Sequence, residues 1–282
     1  MLRALAVLCL IWGSNWVVMK TANDYFPPVA FVMWRFGSGA LILLAVAYLR
    51  KIPLPDARLL PCIIISGVLQ MALNQVAIQI GLLGIGAGMG CVLNFTTPLW
   101  VAIMAHFTLN ERLTRRKIFG ILTALLGLYV LMGVQGVDDL RSALILIGGA
   151  IVAALSSIIV KRWLVKCDMI QLTTWQMVFG ALGLMLYTSF VPQGEIDWGL
   201  PAVLCLLYNA ALASAVAFYL WNYILVRIEA GTASVATLGA PVVGVLAGVI
   251  FLGEPLTAYI IAGMILIFAG IFIVVKGGKR DA

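Results

Sequence analysis

Long apolar runs occupy most of this sequence. They fall at about residues 2–20, 28–49, 59–80, 84–107, 118–137, 142–160, 171–191, 200–225, 232–252 and 257–275. About 20 mostly apolar residues carry an α-helix across the hydrocarbon core of a bilayer, and these runs are near that length. Lipid offers no partner to backbone N–H and C=O groups, so helices are the structure that such runs can adopt there. The sequence therefore predicts an all-α integral membrane protein with ten transmembrane helices.

The composition excludes a large soluble domain beside these helices. Hydrophobic residues make up 63% of the 282 residues and charged residues only 10%, whereas soluble domains carry roughly 45–50% and roughly 25%. In a soluble chain, the formal net charge of +7 would suggest a nucleic-acid partner. In a membrane protein, the basic residues must first be compared with the topology of the loops.

The basic residues follow the pattern expected of cytoplasmic loops. When successive connections are assigned alternately to the two sides of the membrane, fifteen of the 18 Lys and Arg residues fall on one side. Lys20 and Arg141 fall on the other side, and Arg35 lies within a span. Because short cytoplasmic loops are enriched in Lys and Arg, both termini are predicted to lie in the cytoplasm. The charge thus indicates a multi-pass protein of the cytoplasmic (inner) membrane, in contact with the lipid bilayer and not with nucleic acid.

Neither a metal nor a cofactor is indicated. The five cysteines show no C-x-x-C spacing and the chain has one histidine, so neither a zinc site nor a disulfide framework is implied. The glycines of residues 84–90 lack the order of a phosphate-binding loop and open an apolar helix without a preceding strand. No cofactor is expected, and the chain is predicted to be a monomer or a weak homo-oligomer.

Two blocks of sequence recur in the two halves of the chain. Pro98 precedes Glu111 by thirteen positions, and Pro241 precedes Glu254 by thirteen positions. Each glutamate lies in the sequence Leu-x-Glu-x-Leu-Thr, and the two blocks are 143 residues apart. A fixed offset of this kind indicates an internal duplication.

A second alignment supports the duplication and gives its boundaries. Residues 34–41 align with residues 175–182 at an offset of 141. The offsets predict two five-helix repeats, residues 1–137 and residues 138–282. Five is odd, so the second repeat must enter the membrane inverted relative to the first. Inverted repeats are typical of secondary transporters, where a site near the midplane becomes accessible from either side in turn.

Three motifs carry a family resemblance over essentially the whole chain. They are Trp12-Gly13-Ser14-Asn15-Trp16, Trp34-Arg35-Phe36 and the two Pro…Leu-x-Glu-x-Leu-Thr blocks. With them the chain resembles a ten-span EamA-type member of the drug/metabolite transporter superfamily. The resemblance implies that spans 1 to 4 and 6 to 9 surround a central cavity, with spans 5 and 10 more peripheral. It also implies export of small metabolites, and it is nearest to the amino acid exporters, including the aromatic amino acid branch.

Prolines lie near the middle of the fourth and ninth spans. A proline removes one helical hydrogen bond and leaves the carbonyl four residues earlier unpaired. For Pro98 and Pro241 these carbonyls belong to Asn94 and Thr237. Such groups can face substrate, which makes these residues and Thr97 candidates for the transport pathway. Alternatively the helices are only kinked, and Thr97 or water satisfies the carbonyls.

Arg35 is the one charge well inside a predicted span, and Gln176 aligns with it at the offset of 141. A charge at this depth is costly and is by default a functional hypothesis. No Asp or Glu lies in any predicted span, so its partners must be carbonyls, water or a carboxylate of the substrate. The alternative is an arginine whose head group extends to the outer interface.

Polar and aromatic residues share helix faces on several spans, because residues four apart lie on one side of a helix. The remaining candidates for a cavity are Trp12, Asn15 and Trp16 on the first span, Asn74, Gln75 and Gln79 on the third, Trp175 and Gln176 on the seventh, and Tyr208, Asn209, Ser214 and Asn222 on the eighth. An apolar cavity with aromatic walls and a few amides suits a small zwitterion with an apolar side chain. Alternatively, these groups only join helices together.

The leading interpretation is a secondary transporter that exports amino acids or similar small metabolites by alternating access. An exchanger or importer of another substrate class is the first alternative. An intramembrane enzyme would need a catalytic set, and a channel would need a charged ring or a filter segment; the sequence shows none of these. The lack of carboxylates in the spans argues against a carboxylate-based proton relay. His106, near the cytoplasmic end of the fourth span, is interpreted as an interfacial hydrogen-bonding residue.

Overall fold

The computed structural model describes residues 1–85, 87–131, 139–243 and 257–278. Within these ranges all regular secondary structure is helical. The helices are α1 (Leu2–Ala22), α2 (Pro28–Leu49), α3 (Leu60–Gly84), α4 (Ala87–Asn94), α5 (Thr97–Thr108), α6 (Arg115–Leu131), α7 (Leu140–Trp163), α8 (Met169–Phe190), α9 (Leu200–Leu225), α10 (Ala230–Ala236) and α11 (Ala258–Gly278). The predicted all-α membrane fold is confirmed.

Most of the predicted spans are present as long apolar helices. Eight helical stretches in the described ranges are long and apolar enough to cross a bilayer, with Gly90–Thr108 counted as one stretch. The predicted spans 118–137 and 232–252 extend beyond the described residues, so the structure gives them in part, through α6 and α10. Glu254, the second glutamate of the repeated blocks, also lies outside the described residues. The orientation of the termini stays a prediction.

Aspartate side chains cap the N-termini of two helices in the second half of the chain. The Asp168 carboxylate accepts hydrogen bonds from the backbone N–H groups of Ile170 and Gln171, at 2.9 and 3.0 Å. Asp139 caps α7 in the same way, and the Ser142 hydroxyl also donates to it at 2.5 Å. That hydroxyl lowers the pKa of the Asp139 carboxyl. Such caps satisfy N–H groups that have no partner within the helix.

A π-helical segment interrupts the third helix of each half. In α3 it covers Val68–Leu73, and in α9 it covers Tyr208–Val216. A π-helix contains more residues per turn than an α-helix, so it rotates the faces of the residues that follow it. Such segments occur frequently at functional sites. Hydrophobic periodicity did not predict either segment.

Both spans that have a proline near the middle are interrupted. α4 ends at Asn94 and α5 begins at Thr97, next to Pro98. In the second half, α10 ends at Ala236, and helical structure resumes at residue 239, before Pro241. The chain therefore makes a short turn just before each proline instead of continuing as one straight helix.

Of the two alternatives for the carbonyls before the prolines, the structure shows the paired one. The Asn94 carbonyl accepts from the Thr97 hydroxyl at 2.7 Å. The Thr237 carbonyl accepts from the backbone N–H of Ala240 at 2.9 Å. In both cases the donor lies three residues later, because the tight turn brings it within reach of the carbonyl.

The fifth and tenth spans, α6 and α11, pack directly on each other. A Cβ atom added to Gly127 would lie 2.6 Å from the Ile267 nitrogen and 2.8 Å from the Gly263 carbonyl oxygen. One added to Gly270 would lie 2.5 Å from the Gly120 carbonyl oxygen. Only glycine allows the two backbones to approach so closely, as in other small-residue helix contacts within membranes.

The middle of the molecule is built from helices of both halves. α2 packs against α8 and α9, and α3 packs against α7 and α8. α5 also packs against α7 and α10. Because each half supplies walls to the same central volume, any cavity there is lined by both halves.

Candidate functional site

A partly open cavity lies among these central helices. Nine sequence-predicted candidates line it: Trp12, Asn15, Trp16, Arg35, Asn74, Gln75, Asn94, Thr97 and Thr237. The lining also contains Met19, Gln70, Ile78, Phe95, Ala153, Ser157, Phe218, Trp221 and Ser234. The residues come from α1, α2, α3, α7, α9 and the two interrupted spans. Their contact with a substrate stays a prediction.

Aromatic rings form much of the apolar wall. The ring of Trp12 lies 5.4 Å from that of Phe218, edge to face, and 6.0 Å from that of Trp221. The ring of Trp16 lies 6.2 Å from that of Phe95. Spacings of this size are typical of favourable aromatic pairs, so the rings support one another across helices. The wall is therefore a fixed aromatic surface suited to an apolar group.

Arg35 is only 2% exposed, so the surrounding helices enclose its side chain. Nε donates to the Ser214 hydroxyl at 2.7 Å, and Nη2 donates to the Ala213 carbonyl at 3.3 Å. Nη1 contacts the amide oxygen of Gln75 at 3.2 Å and the Met19 sulfur at 3.3 Å. The interpretation as an interfacial arginine is therefore wrong, because protein acceptors around the cavity hold the guanidinium inside.

A chain of amides continues from Arg35 across α3. Gln75 donates to the Asn74 oxygen at 2.8 Å, and Gln70 donates to the same oxygen at 3.3 Å. Asn74 in turn donates to the Gly149 carbonyl of α7 at 2.9 Å. The amides are thus paired with protein atoms, and they connect α2, α3 and α7 around the cavity.

A second polar cluster has the same arrangement around Gln176, the residue aligned with Arg35. Gln176 donates to the Ser66 hydroxyl of α3 at 2.9 Å and accepts from Asn222 of α9 at 2.8 Å. Arg35 likewise hydrogen-bonds to one hydroxyl of the other half, that of Ser214, and to one amide of its own half, that of Gln75. Gln176, Asn222 and Ser66 are buried, but none of them lines the cavity. The charge therefore distinguishes the cluster at the cavity from its counterpart.

Three buried polar atoms in the lining have no hydrogen-bond partner in the described structure. They are Asn15 Oδ1, Asn94 Nδ2 and Ser234 Oγ. Buried polar groups are normally paired, so unpaired ones that face a cavity are candidates for ligand contact. No aspartate or glutamate occurs among the described lining residues.

The other nine candidates lie outside the lining: Gln79, Pro98, Trp175, Gln176, Tyr208, Asn209, Ser214, Asn222 and Pro241. Gln79 donates to the Met19 carbonyl at 2.8 Å and to the Asn23 side chain at 2.6 Å. The Tyr208 hydroxyl donates to the Ile11 carbonyl at 3.0 Å. Gln79 and Tyr208 therefore connect neighbouring segments, which is the alternative that the sequence left open for them.

Glu111, from the repeated block, holds the start of α10. Its carboxylate accepts from the backbone N–H groups of Ala230 at 2.7 Å and Gly231 at 3.2 Å. Lys117 forms an ion pair at 2.9 Å with Glu229, the residue just before Ala230. An acidic group at a helix N-terminus satisfies free N–H groups and interacts favourably with the helix dipole. The end of the fourth span is thereby joined to the start of the ninth.

Several lining residues carried little signal in the sequence. Phe218 and Trp221 are apolar residues in a mostly apolar helix, where periodicity does not distinguish a lipid-facing apolar side chain from a cavity-facing one. The π segment before them also rotates the helix by an amount that sequence alone does not give. Ala153 and Ser157 lie in a run of small residues with no polar face. Their spacing of four was the one available indication that they share a side.

The comparisons with known proteins agree with this architecture. The family described as the EamA-like transporter family matches residues 2–133 and 140–276. The “Uncharacterized transporter YoaV” of Bacillus subtilis is 33% identical, over 93% of this chain and 92% of that protein. A Salmonella typhimurium protein named “Probable amino-acid metabolite efflux pump” is 27% identical, over 96% of this chain and 93% of that protein. One crystal structure, at 16% identity, has a TM-score of 0.80 and covers 99% of both chains, which shows a shared fold.

Proposed function

The chain belongs to the EamA-like transporter family, and from this premise we propose that it exports amino acids, aromatic ones included, or similar small metabolites across the cytoplasmic membrane by alternating access. Membership makes the chain a multi-pass membrane transporter and not an enzyme. Its partner is a small-molecule substrate. The proposal adds the substrate class, the direction and the mechanism.

The observation that carries the substrate class is the chemistry of the cavity wall. Five aromatic residues form an apolar surface, and Arg35 places one positive charge beside it. No acidic side chain among the described lining residues compensates that charge. A molecule with an apolar body and a carboxylate complements both features. The amino-acid name carried by the Salmonella typhimurium relative supports the same substrate class.

Alternating access is supported by the likeness of the two halves. The family matches the chain twice in succession, once in each half. Arg35 and Gln176 occupy aligned positions. Each hydrogen-bonds to one side chain of its own half and to one side chain of the other half. Two inverted copies can exchange conformations and so expose one central site to either side. The distribution of basic residues predicts that both termini lie in the cytoplasm. Export is the proposed direction because the Salmonella typhimurium relative is named an efflux pump.

Transport by purified protein in liposomes tests this function directly. Labelled amino acids are offered without an ion or voltage gradient, and the assay is then repeated with a pH step. We expect uptake without a gradient, with aromatic amino acids among the substrates. We also expect little response to the pH step, because no carboxylate among the described lining residues offers a proton site. Failure of folded protein to take up any amino acid would overturn the proposed substrate class.

Two tryptophan variants give a matched control for the cavity. Trp12 lies in the aromatic wall, whereas Trp34 is 42% exposed and contacts Trp198 at a ring distance of 5.7 Å. We expect Trp12→Leu to lose most of the uptake of aromatic amino acids. Trp34→Leu removes an equal apolar area elsewhere and should retain it. Equal losses in the two variants would show that the cavity wall does not determine transport.

A further inference from the structure

We propose that Asn15, Asn94 and Ser234 form a recognition site for the α-amino and α-carboxylate groups of an amino acid. Asn15 Oδ1 accepts from the ammonium group, and Asn94 Nδ2 and Ser234 Oγ donate to the carboxylate. The inference rests on the proposed function, since it concerns the same cavity. Beyond the proposed function, it states which atoms of the protein bind the ligand and which end of the ligand each of them binds.

The first step of the inference is the contrast between paired and unpaired polar groups. Arg35, Asn74 and Gln75 line the same cavity, and each is bonded to protein atoms. Asn15 Oδ1, Asn94 Nδ2 and Ser234 Oγ have no such partner, although Asn15 is 3% exposed and Ser234 is 1% exposed. Polar atoms excluded from water and left without a partner are destabilising, and a bound ligand relieves that cost.

The second step is the character of the three groups. One unpaired amide acceptor, one unpaired amide donor and a hydroxyl that is able to donate match an ammonium group and a carboxylate. An ammonium group would otherwise be paired with an acidic side chain, but none occurs among the described lining residues. Asn15, Trp12 and Trp16 all line the cavity from α1. Aromatic faces also attract cations, so this part of the cavity suits the ammonium end.

The third step is the position of the two donors. Asn94 is the last residue of α4, and Ser234 lies in α10, three residues before Thr237. These are the two interrupted spans, one from each half of the chain. A carboxylate bound by both residues would connect the two spans directly.

Three labelled probes with one apolar body separate the two ends of the ligand. Phenylalanine has both charged groups, 3-phenylpropionate lacks the ammonium group, and 2-phenylethylamine lacks the carboxylate. Their equilibrium binding is measured on purified protein in lipid nanodiscs. We expect wild type to bind phenylalanine about tenfold or more tightly than either analogue, because each analogue leaves part of the site unpaired.

Each variant should affect one comparison and not the other. Asn15→Leu should remove the advantage of phenylalanine over 3-phenylpropionate and leave its advantage over 2-phenylethylamine. Ser234→Ala and Asn94→Leu should do the reverse. Asn15→Asp keeps the shape of the side chain and should strengthen binding of 2-phenylethylamine, which keeps the test decisive if Asn15→Leu does not fold.

Trp100→Phe is the matched control. Trp100 Nε1 is also buried without a partner in the described structure, but Trp100 does not line the cavity. Its removal should leave all three affinities unchanged. If phenylalanine is transported but the variants weaken all probes equally, the recognition site is overturned and the proposed function stands. If folded wild type binds no probe and takes up no amino acid, both are overturned.

Discussion

Arg35→Gln removes a buried charge while keeping a side chain that hydrogen-bonds. Gln176, aligned with Arg35 at the offset of 141, already joins one hydroxyl and one amide on neighbouring helices. A glutamine at position 35 offers Ser214 and Gln75 the same kind of pairing. We therefore expect the fold to survive the substitution and the charge in the cavity to be lost.

Two opposing terms set the effect of this change on stability. Arg35 donates to three acceptors at 2.7–3.3 Å, besides its contact with the Met19 sulfur. A net hydrogen bond contributes about 1 kcal/mol, and about 1.5–3 kcal/mol when a charged group takes part. Removing the charge also removes a desolvation cost of several kcal/mol. The two terms offset each other, and we expect the free energy of unfolding to change by no more than about 2 kcal/mol.

The effect on the binding free energy of a carboxylate substrate has no such offset. A carboxylate about 6 Å from the guanidinium, at an effective dielectric constant of about 20, is attracted by about 3 kcal/mol. That energy corresponds to roughly a 100-fold change in affinity. A substrate without a carboxylate loses none of it. The variant should therefore separate the two kinds of substrate instead of weakening both.

The assay compares uptake of phenylalanine with uptake of its amide, which keeps the ammonium group and lacks the carboxylate. Concentration dependence is measured in liposomes containing wild type or Arg35→Gln. Melting temperature and elution as a single species establish that the variant is folded. We expect a loss of at least about tenfold in apparent affinity for phenylalanine and less than about threefold for the amide. Equal losses would refute the reasoning and make Arg35 a purely structural residue.

Three further predictions concern the interrupted spans and the helix contacts. Pro98→Ala and Pro241→Ala should each reduce transport without affecting insertion, because each proline maintains a turn; wild-type rates in both would contradict this role. Glu111→Ala should lower the free energy of unfolding by about 1–2 kcal/mol through loss of the cap on α10. The loss is measured as a lower melting temperature. An unchanged melting temperature would show that the contact contributes nothing to stability. Gly127→Ala should cost about 1–3 kcal/mol by overpacking, whereas Gly148→Ala, with no atom within 4 Å of the added carbon, should leave the melting temperature unchanged.

The sequence predicted the helices because the bilayer permits little else for long apolar runs. It also predicted part of the cavity, since Asn94 and Thr237 were identified from the prolines that follow them. It left open whether their carbonyls are paired, and the structure shows that the Thr97 hydroxyl and the Ala240 N–H, each three residues later, pair with them. That local geometry depends on how tightly the chain turns, and residue types alone do not fix it.

The missing parts of the site have a common physical origin. Phe218 follows a π segment, so its direction depends on a rotation that hydrophobic periodicity assumes to be constant. Ser234 is a small polar residue in an apolar run, where membrane helices use serine for packing as readily as for binding. Only the structure shows that its hydroxyl has no protein partner in the described ranges and borders the cavity.

The glycine contact between α6 and α11 has a consequence for biosynthesis. α6 is inserted into the membrane well over a hundred residues before α11 is made. During that interval the bare backbone around Gly120 and Gly127 lacks the helix that covers it in the finished protein. Lipid chains must occupy that surface until they are displaced. Assembly of the first half is therefore completed only when the last helix of the chain has been inserted.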